Sequence, residues 1–172
     1  ATRPIAGALS AAIYAQADPE IETLLIPVDN AREAAVFEDL PVFGAGSLLE
    51  AIDVLVDPVS ATPQPVLAME FGSALAECEE DMRDVKGQEM ARRAIEVAAA
   101  GGHNMIMIGP PGSGKTMLAR RLPTILPPLT LSESIETTRI HSAKGLMGPH
   151  QGLLALRPFR APHHTSSYAA IV

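Results

Sequence analysis

The chain has 172 residues, 47% apolar and 19% charged, with a net charge of −7; such a composition builds one ordinary domain or two small ones and excludes disorder throughout. One cysteine, Cys78, cannot close an internal disulfide, and no uncharged apolar run approaches the ~20 residues of a membrane helix, which excludes a disulfide-built module and a helical membrane span. The charge is unevenly spread: residues 1–84 carry 16 Asp and Glu against 3 Arg, whereas residues 85–172 carry 4 Glu against 10 Lys and Arg, so an acidic module precedes a basic one suited to phosphate or nucleic acid. Ala1 stands first and no basic-then-apolar leader follows. A cytoplasmic protein is therefore expected, with the numbering beginning inside a longer one.

In chain order, the Ala-rich segment Ile5 to Ala17 predicts a helix, and Thr23-Leu24-Leu25-Ile26-Pro27 a short strand stopped by proline. Asp29 or Asn30 offers a cap for a helix over Ala31 to Phe37. Pro41-Val42-Phe43-Gly44 is a second strand candidate. Ser47-Leu48-Leu49-Glu50 has capping-box spacing, in which each side chain satisfies the other residue's free backbone N–H, and it opens a helix to Val56. Residues 1–57 thus read as an α/β piece with little room for a complete core.

From Asp57 to Arg83 the periodicity fades. Pro58, Pro63 and Pro65 punctuate a Ser/Thr/Gln stretch, and the acidic cluster Glu77-Cys78-Glu79-Glu80-Asp81 lies among Met69, Phe71, Leu75 and Met82. Residues 58–83 read as an acidic linker with a short helical or docked element, its carboxylates a solvated face rather than a metal site.

The chemistry begins at Asn104. Met105-Ile106-Met107-Ile108 has the apolar run of a buried parallel strand and feeds into Gly109-Pro110-Pro111-Gly112-Ser113-Gly114-Lys115-Thr116, after which Met117 to Leu126 reads as a helix. This is the phosphate-loop pattern G-x-x-x-x-G-K-[ST] in strand, loop, helix context. Gly112 and Gly114 let backbone N–H groups converge on phosphate oxygens, and the helix N-terminus adds its positive end. Lys115 supplies a point charge to the β and γ phosphates, and the Thr116 hydroxyl is the expected ligand of a Mg²⁺ bridging them. Upstream, Asp84-Val85-Lys86-Gly87-Gln88 leads into a helix from Glu89 to Ala100 that Gly101-Gly102 ends.

Together with Ala98-Ala99-Ala100-Gly101-Gly102-His103-Asn104, these motifs resemble the magnesium-chelatase-like branch of the AAA+ ATPases, specifically the ComM-type (YifB-like) proteins. Ile125-Leu126-Pro127-Pro128-Leu129, Ile140-His141-Ser142 and Arg157-Pro158-Phe159-Arg160-Ala161-Pro162-His163-His164-Thr165-Ser166-Ser167 are similar to that group's pattern too. The resemblance covers residues 84–172 closely. It implies a P-loop NTPase fold, ATP and Mg²⁺ as cofactors, a nucleotide site of Gly109 to Met117, and base contacts from Val85 and Gln88.

The acidic module, through Arg3-Pro4-Ile5-Ala6-Gly7 and Leu24-Leu25-Ile26-Pro27 with Asn30, resembles the end of the Lon-protease-like (ribosomal S5-like) domain preceding the ATPase in the same group. Where active Lon-type proteases carry a catalytic lysine this chain places Leu9, and no lysine occurs before Lys86. A Ser/Lys dyad needs that amine to take the serine proton, so a structural or partner-binding role is expected for this piece.

Thr130-Leu131-Ser132-Glu133 is another capping box, opening a helix to His141, and Gly145, Gly148, Pro149 and Gly152 make a loop. Adjacent histidines diverge, so His163-His164 is not a zinc site. Resemblance to AAA+ proteins with an insertion in the second core helix implies that this element faces a ring's central pore, where Lys144, Arg157 and Arg160 are the candidate contacts to DNA phosphates. After Thr116 the only acids are Glu133 and Glu136, neither of which ends an apolar strand. The Mg²⁺-shell carboxylate, the water-activating Glu and the arginine finger are therefore expected outside this chain, which alone should bind nucleotide without turnover.

Three functions of the parent follow from the resemblance: a hexameric ATP-driven helicase promoting branch migration of DNA in recombination and natural transformation, the ATPase subunit of a magnesium-chelatase complex, or a nucleotide-gated scaffold. The Lon-like segment favours the first.

Overall fold

The computed structural model describes residues 1–66 and 80–162, with helices α1 Ala8–Ala17, α2 Val28–Ala34, α3 Leu48–Val56, α4 Glu89–Gly101, α5 Lys115–Arg121 and α6 Leu131–Ala143, and strands β1 Leu24–Pro27 and β2 Val42–Ala45. The cluster residues Glu77, Cys78 and Glu79, their neighbours Met69, Phe71 and Leu75, and everything from His163 onward lie outside the described residues. The chain forms two units, one of Ala1–Glu70 with Leu129–Ala155, the other of Phe71–Pro128 with Leu156–Val172. Its class is mixed α/β.

In the first unit, β1 and β2 pair in parallel with Leu24 opposite Val42 and Pro27 opposite Ala45, and α2 is the crossover that a parallel pair requires. Alanines dominate the core: Ala8, Ala12, Ala15, Ala31, Ala34 and Ala35 surround Ile26, Leu40 and Val42. Alanine loses no side-chain entropy in a helix, and its small size lets the backbones approach. Gly44 is where that approach is closest. A Cβ there would stand 2.9 Å from Ala31 Cβ and 3.1 Å from Val28 Cα, so a larger residue would push α2 off β2.

Helix α2 begins directly after Pro27, earlier than the Ala31 start expected from the sequence. Asp29 lies in its first turn, where a carboxylate meets the positive end of the helix. Asn30 is an interior residue rather than a cap: its Oδ1 accepts from the Ile5 N–H at 2.9 Å and its Nδ2 donates to the Ile5 carbonyl at 3.0 Å. A tertiary pairing has taken the polar group that local sequence assigns to a cap. At α3, Ser47 Oγ accepts from the Glu50 N–H at 3.2 Å, as expected, but the Glu50 carboxylate accepts from the Gly46 N–H at 2.9 Å and the Ser47 hydroxyl at 3.1 Å rather than from the Ser47 backbone N–H.

Helix α6 starts from a full capping box, with the Glu133 N–H donating to Thr130 Oγ1 at 3.3 Å and the Thr130 N–H donating to Glu133 Oε2 at 2.9 Å. Ser134, Thr138 and Ser142 recur every fourth residue, which places them on one helix face, and all are at most 1% exposed. Each hydroxyl has a partner. Ser134 Oγ donates to the Leu154 carbonyl at 2.6 Å, Thr138 Oγ1 accepts from the Leu154 N–H at 2.8 Å, and Ser142 Oγ donates to Glu33 Oε1 at 3.2 Å. Thr130→Ala should therefore lower stability by about 1 kcal/mol through the lost cap, read as a reduced midpoint in chemical denaturation with an unchanged slope.

In the second unit, Asp81 and Asp84 form a reciprocal capping box around a single 3₁₀ turn, Met82–Asp84. Asp81, read from the sequence as part of a solvated acidic face, thus joins Asp84 in capping the turn that precedes α4. That helix ends at Gly102, which has φ +61°, as expected for a glycine cap. The expected helix from Met117 to Leu126 is instead α5 starting at Lys115, followed by a 3₁₀ turn over Leu122–Ile125 with Pro123 in its first turn. The core consists of Met82, Val85, Ile95 and Leu118, with Met107, Met117, Leu122 and Ile125 packed against it.

The expected strand Met105–Ile108 is not formed. Met107 reaches the core, but Ile106 is 83% and Ile108 89% exposed, whereas a parallel-sheet strand is covered on both faces. Strand geometry needs a laddered neighbour, and among the described residues β1 and β2 pair only with each other.

Candidate functional site

Segment 109–116 joins the unladdered apolar run to α5. Gly112 and Gly114 have φ of +79° and +85°, a region that glycine enters without steric cost, and the paired bends fold the loop over the start of the helix. Lys115, the first residue of α5, turns its side chain back along the loop. Its Nζ donates to the Gly109 carbonyl at 2.8 Å, the Pro110 carbonyl at 2.8 Å and Ser113 Oγ at 3.1 Å. All three protons of the ammonium are used, yet every acceptor is a neutral oxygen. Among the described residues no carboxylate pairs with Lys115, so its charge is uncompensated.

Around this cation, Gly109, Pro110, Pro111, Gly112 and Thr116 are exposed, while Ser113, Gly114 and Met117 are half-buried. An anion entering the loop would replace three neutral acceptors with charged ones, which form hydrogen bonds about twice as strong. Among the described residues no group of three or more His, Cys, Asp or Glu could hold a metal ion. Thr116, exposed beside Lys115, is the hydroxyl available to a cation arriving with a phosphate chain.

The segment leading into α4 divides into two environments. Val85 is 4% exposed and belongs to the core, and its carbonyl accepts from Arg92 Nη1 at 3.4 Å. Gln88 is exposed and left-handed, at φ 54° and ψ 38°, and a Cβ placed on Gly114 would stand 3.0 Å from its Nε2. The fold therefore brings Gln88 to the phosphate-loop motif and packs the Val85 side chain away from it.

Sequence reasoning missed the fastening of α5. Arg121 Nε donates to the Asp81 carbonyl at 3.2 Å, Nη1 donates to the Met117 carbonyl at 3.1 Å, and the guanidinium pairs with Glu80 at 3.5 Å. Thr124 Oγ1 accepts from the Met82 N–H at 3.2 Å and donates to the Arg121 carbonyl at 2.7 Å. Glu80, Asp81 and Met82 lie some 40 residues upstream of Arg121 and Thr124, a separation at which no local pattern signals a contact. Of the candidate DNA contacts, Lys144 is exposed in the first unit. Arg157 and Arg160 belong to the second, Arg157 Nε donating to the Pro127 carbonyl at 3.2 Å and Arg160 exposed. No described helix is long and apolar enough to cross a membrane.

Residues 81–172 match the family described as magnesium chelatase, subunit ChlI. The chain is 42% identical over 170 residues to an uncharacterized protein of Mycobacterium tuberculosis, covering 99% of this chain and 33% of that protein. It is 39% identical to YifB of Salmonella typhimurium, covering 100% of this chain and 33% of the relative, and 37% identical to the competence protein ComM of Haemophilus influenzae, covering 99% and 33%. A shorter match, 30% identical over 109 residues, reaches the archaeal Lon protease of Halobacterium salinarum, covering 62% of this chain and 15% of that protein. The chain thus spans a third of the length of the curated relatives it matches throughout. With a family match over its second half and these likenesses along its whole length, the chain belongs to the magnesium-chelatase-like family, in its ComM/YifB-like group.

Proposed function

We propose that this chain is the ATP- and Mg²⁺-binding part of an AAA+ motor acting on DNA, in a parent protein that assembles as a hexameric ring in the cytoplasm and promotes branch migration during recombination of incoming strands. The observation that carries the nucleotide reading is the Lys115 ammonium, held at the mouth of an exposed glycine loop by three neutral oxygens and, among the described residues, by no carboxylate. On this reading residues 1–57 are the end of a Lon-like domain, 58–83 an acidic linker, and 84–172 the start of a P-loop domain. The 37% identity to ComM over 99% of the chain supports this reading.

Gly109 to Met117 would hold the phosphates, with Lys115 exchanging its loop acceptors for phosphate oxygens. Thr116 would hold Mg²⁺, which neutralises phosphate charge when bound. Val85 would meet the base through its backbone, because its side chain is buried.

The family's own description favours one other reading, the ATPase subunit of a metal-insertion complex. One experiment separates the two. In the full-length parent, ATP turnover should rise on adding DNA and stay unchanged with porphyrin, while the 172-residue chain alone should bind ATP without turnover. Substituting Lys144, Arg157 and Arg160 together with Ala in the parent should weaken DNA binding and flatten its salt dependence by about 0.9 in log–log slope for each phosphate no longer neutralised. Porphyrin-dependent turnover would rule out the DNA reading, and an unchanged slope in the triple variant would rule out these three residues as its phosphate contacts.

A further inference from the structure

Gln88 occupies an unusual backbone position. It follows Gly87, at φ +68°, and is itself at φ 54° and ψ 38°, so two successive residues are left-handed. For a residue with a Cβ this conformation costs about 1–2 kcal/mol relative to right-handed backbone, and it persists only where the surroundings fix it. One compensation is local: the Gln88 carbonyl accepts from the Arg92 N–H at 2.9 Å and opens α4. The other is at the phosphate-loop motif. A Cβ added to Gly114 would lie 3.0 Å from Gln88 Nε2, 3.3 Å from Met117 Cε and 3.8 Å from Gln88 Cδ, so the side-chain amide, with the Met117 methyl, fills the space that the missing Cβ leaves open. Gly114 immediately precedes Lys115, and its φ of +85° and ψ of 7° direct both the start of α5 and the lysine.

We propose that Gln88 is a positioning residue for the phosphate loop, its side-chain amide bracing Gly114 in the left-handed conformation that aims Lys115 at the polyphosphate, rather than a reader of the base. The inference rests on the nucleotide-binding reading and assigns Gln88 a different part of the same ligand. A base reader discriminates among nucleotides and is indifferent to a ligand without a base. A loop brace does the reverse, acting alike on every ligand that carries the phosphate chain.

The test uses the 172-residue chain with ATP, GTP and inorganic tripolyphosphate as probes, measured by calorimetry in the presence of Mg²⁺. Gln88→Gly removes the side chain while tolerating the left-handed backbone, so loss of bracing is separated from strain. Affinity for all three probes should fall by a common factor of about ten, leaving the ATP-to-GTP ratio unchanged, and Gln88→Met, which restores side-chain length, should recover affinity to within about threefold of the original. A collapse of the ATP-to-GTP ratio with tripolyphosphate affinity intact would overturn the proposal and return Gln88 to the base. Unchanged affinity for all three in Gln88→Gly would overturn it too. Failure of the unsubstituted chain to bind any probe would instead remove the nucleotide-binding reading, and this inference with it.

Discussion

Lys115→Ala is expected to abolish nucleotide binding while leaving the protein folded. The ammonium is half-buried and bonded only to its own loop, through the Gly109 and Pro110 carbonyls and Ser113 Oγ, so its removal leaves no charge unpaired in the core. Those acceptors are exposed or half-buried and can turn to water. What disappears is the one cation seated in the loop. A charge-assisted contact to phosphate of about 3 kcal/mol corresponds to an affinity loss of roughly 100-fold or more. Calorimetric titration with ATP and a melting curve for the same variant check both halves. Unchanged ATP affinity would sink the assignment of residues 109–116 as a phosphate loop.

A second large effect is expected in the first unit. Glu33 of α2 is 2% exposed, and its Oε1 accepts from Asn30 Nδ2 at 3.2 Å and from Ser142 Oγ at 3.2 Å. Among the described residues Oε2 has no hydrogen-bond partner. Burial pushes the carboxyl pKa above the ordinary range, against the smaller opposing pull of Asn30, Ser142 and the Ala8 N–H. Among the described residues no cation pairs with it.

The sign of the pH dependence follows from linkage. A carboxyl with a raised pKa binds its proton more tightly in the folded state than in the unfolded one, so stability is greatest below the unfolded-state value and declines as pH rises toward the folded one. Glu33→Gln keeps the accepting oxygen and removes the ionisation. At neutral pH it should stabilise the protein by about 1–2 kcal/mol, the difference between burying an unpaired neutral group and an unpaired charged one. In acid the two proteins should converge. Urea denaturation of both at several pH values tests this, and a difference independent of pH would show that the Glu33 carboxyl ionises alike in the folded and unfolded chain, so that burial does not raise its pKa.

Much of this fold was legible locally. Capping residues signalled α3 and α6 because a Ser or Thr with Glu three positions on satisfies backbone groups whatever the tertiary context. Gly101-Gly102 stopped α4 for a similarly local reason, since glycine accepts the left-handed cap that other residues resist. The candidate site was legible as a motif in the same way: a lysine and glycines in a fixed spacing need few distant residues to pick them out. Asn30 was misread because its partner, Ile5, is 25 residues away. The strand over Met105–Ile108 was misread for a related reason, in that apolar composition allows a strand but only a paired neighbour makes one.

Residue types and short spacings were enough to establish the family, the division into an acidic and a basic half, and the phosphate-loop motif, because none of these depends on where distant residues lie. Folding had to settle the rest: that Val85 belongs to the core while Gln88 reaches Gly114, that Arg121 and Thr124 fasten α5 to residues 80–82, and that α6 turns a stripe of Ser134, Thr138 and Ser142 inward. Those hydroxyls look like a solvated face in one dimension. They are buried because Leu154 and Glu33 supply the hydrogen bonds without which burial would be prohibitive, and contacts across such distances are set by the folded chain.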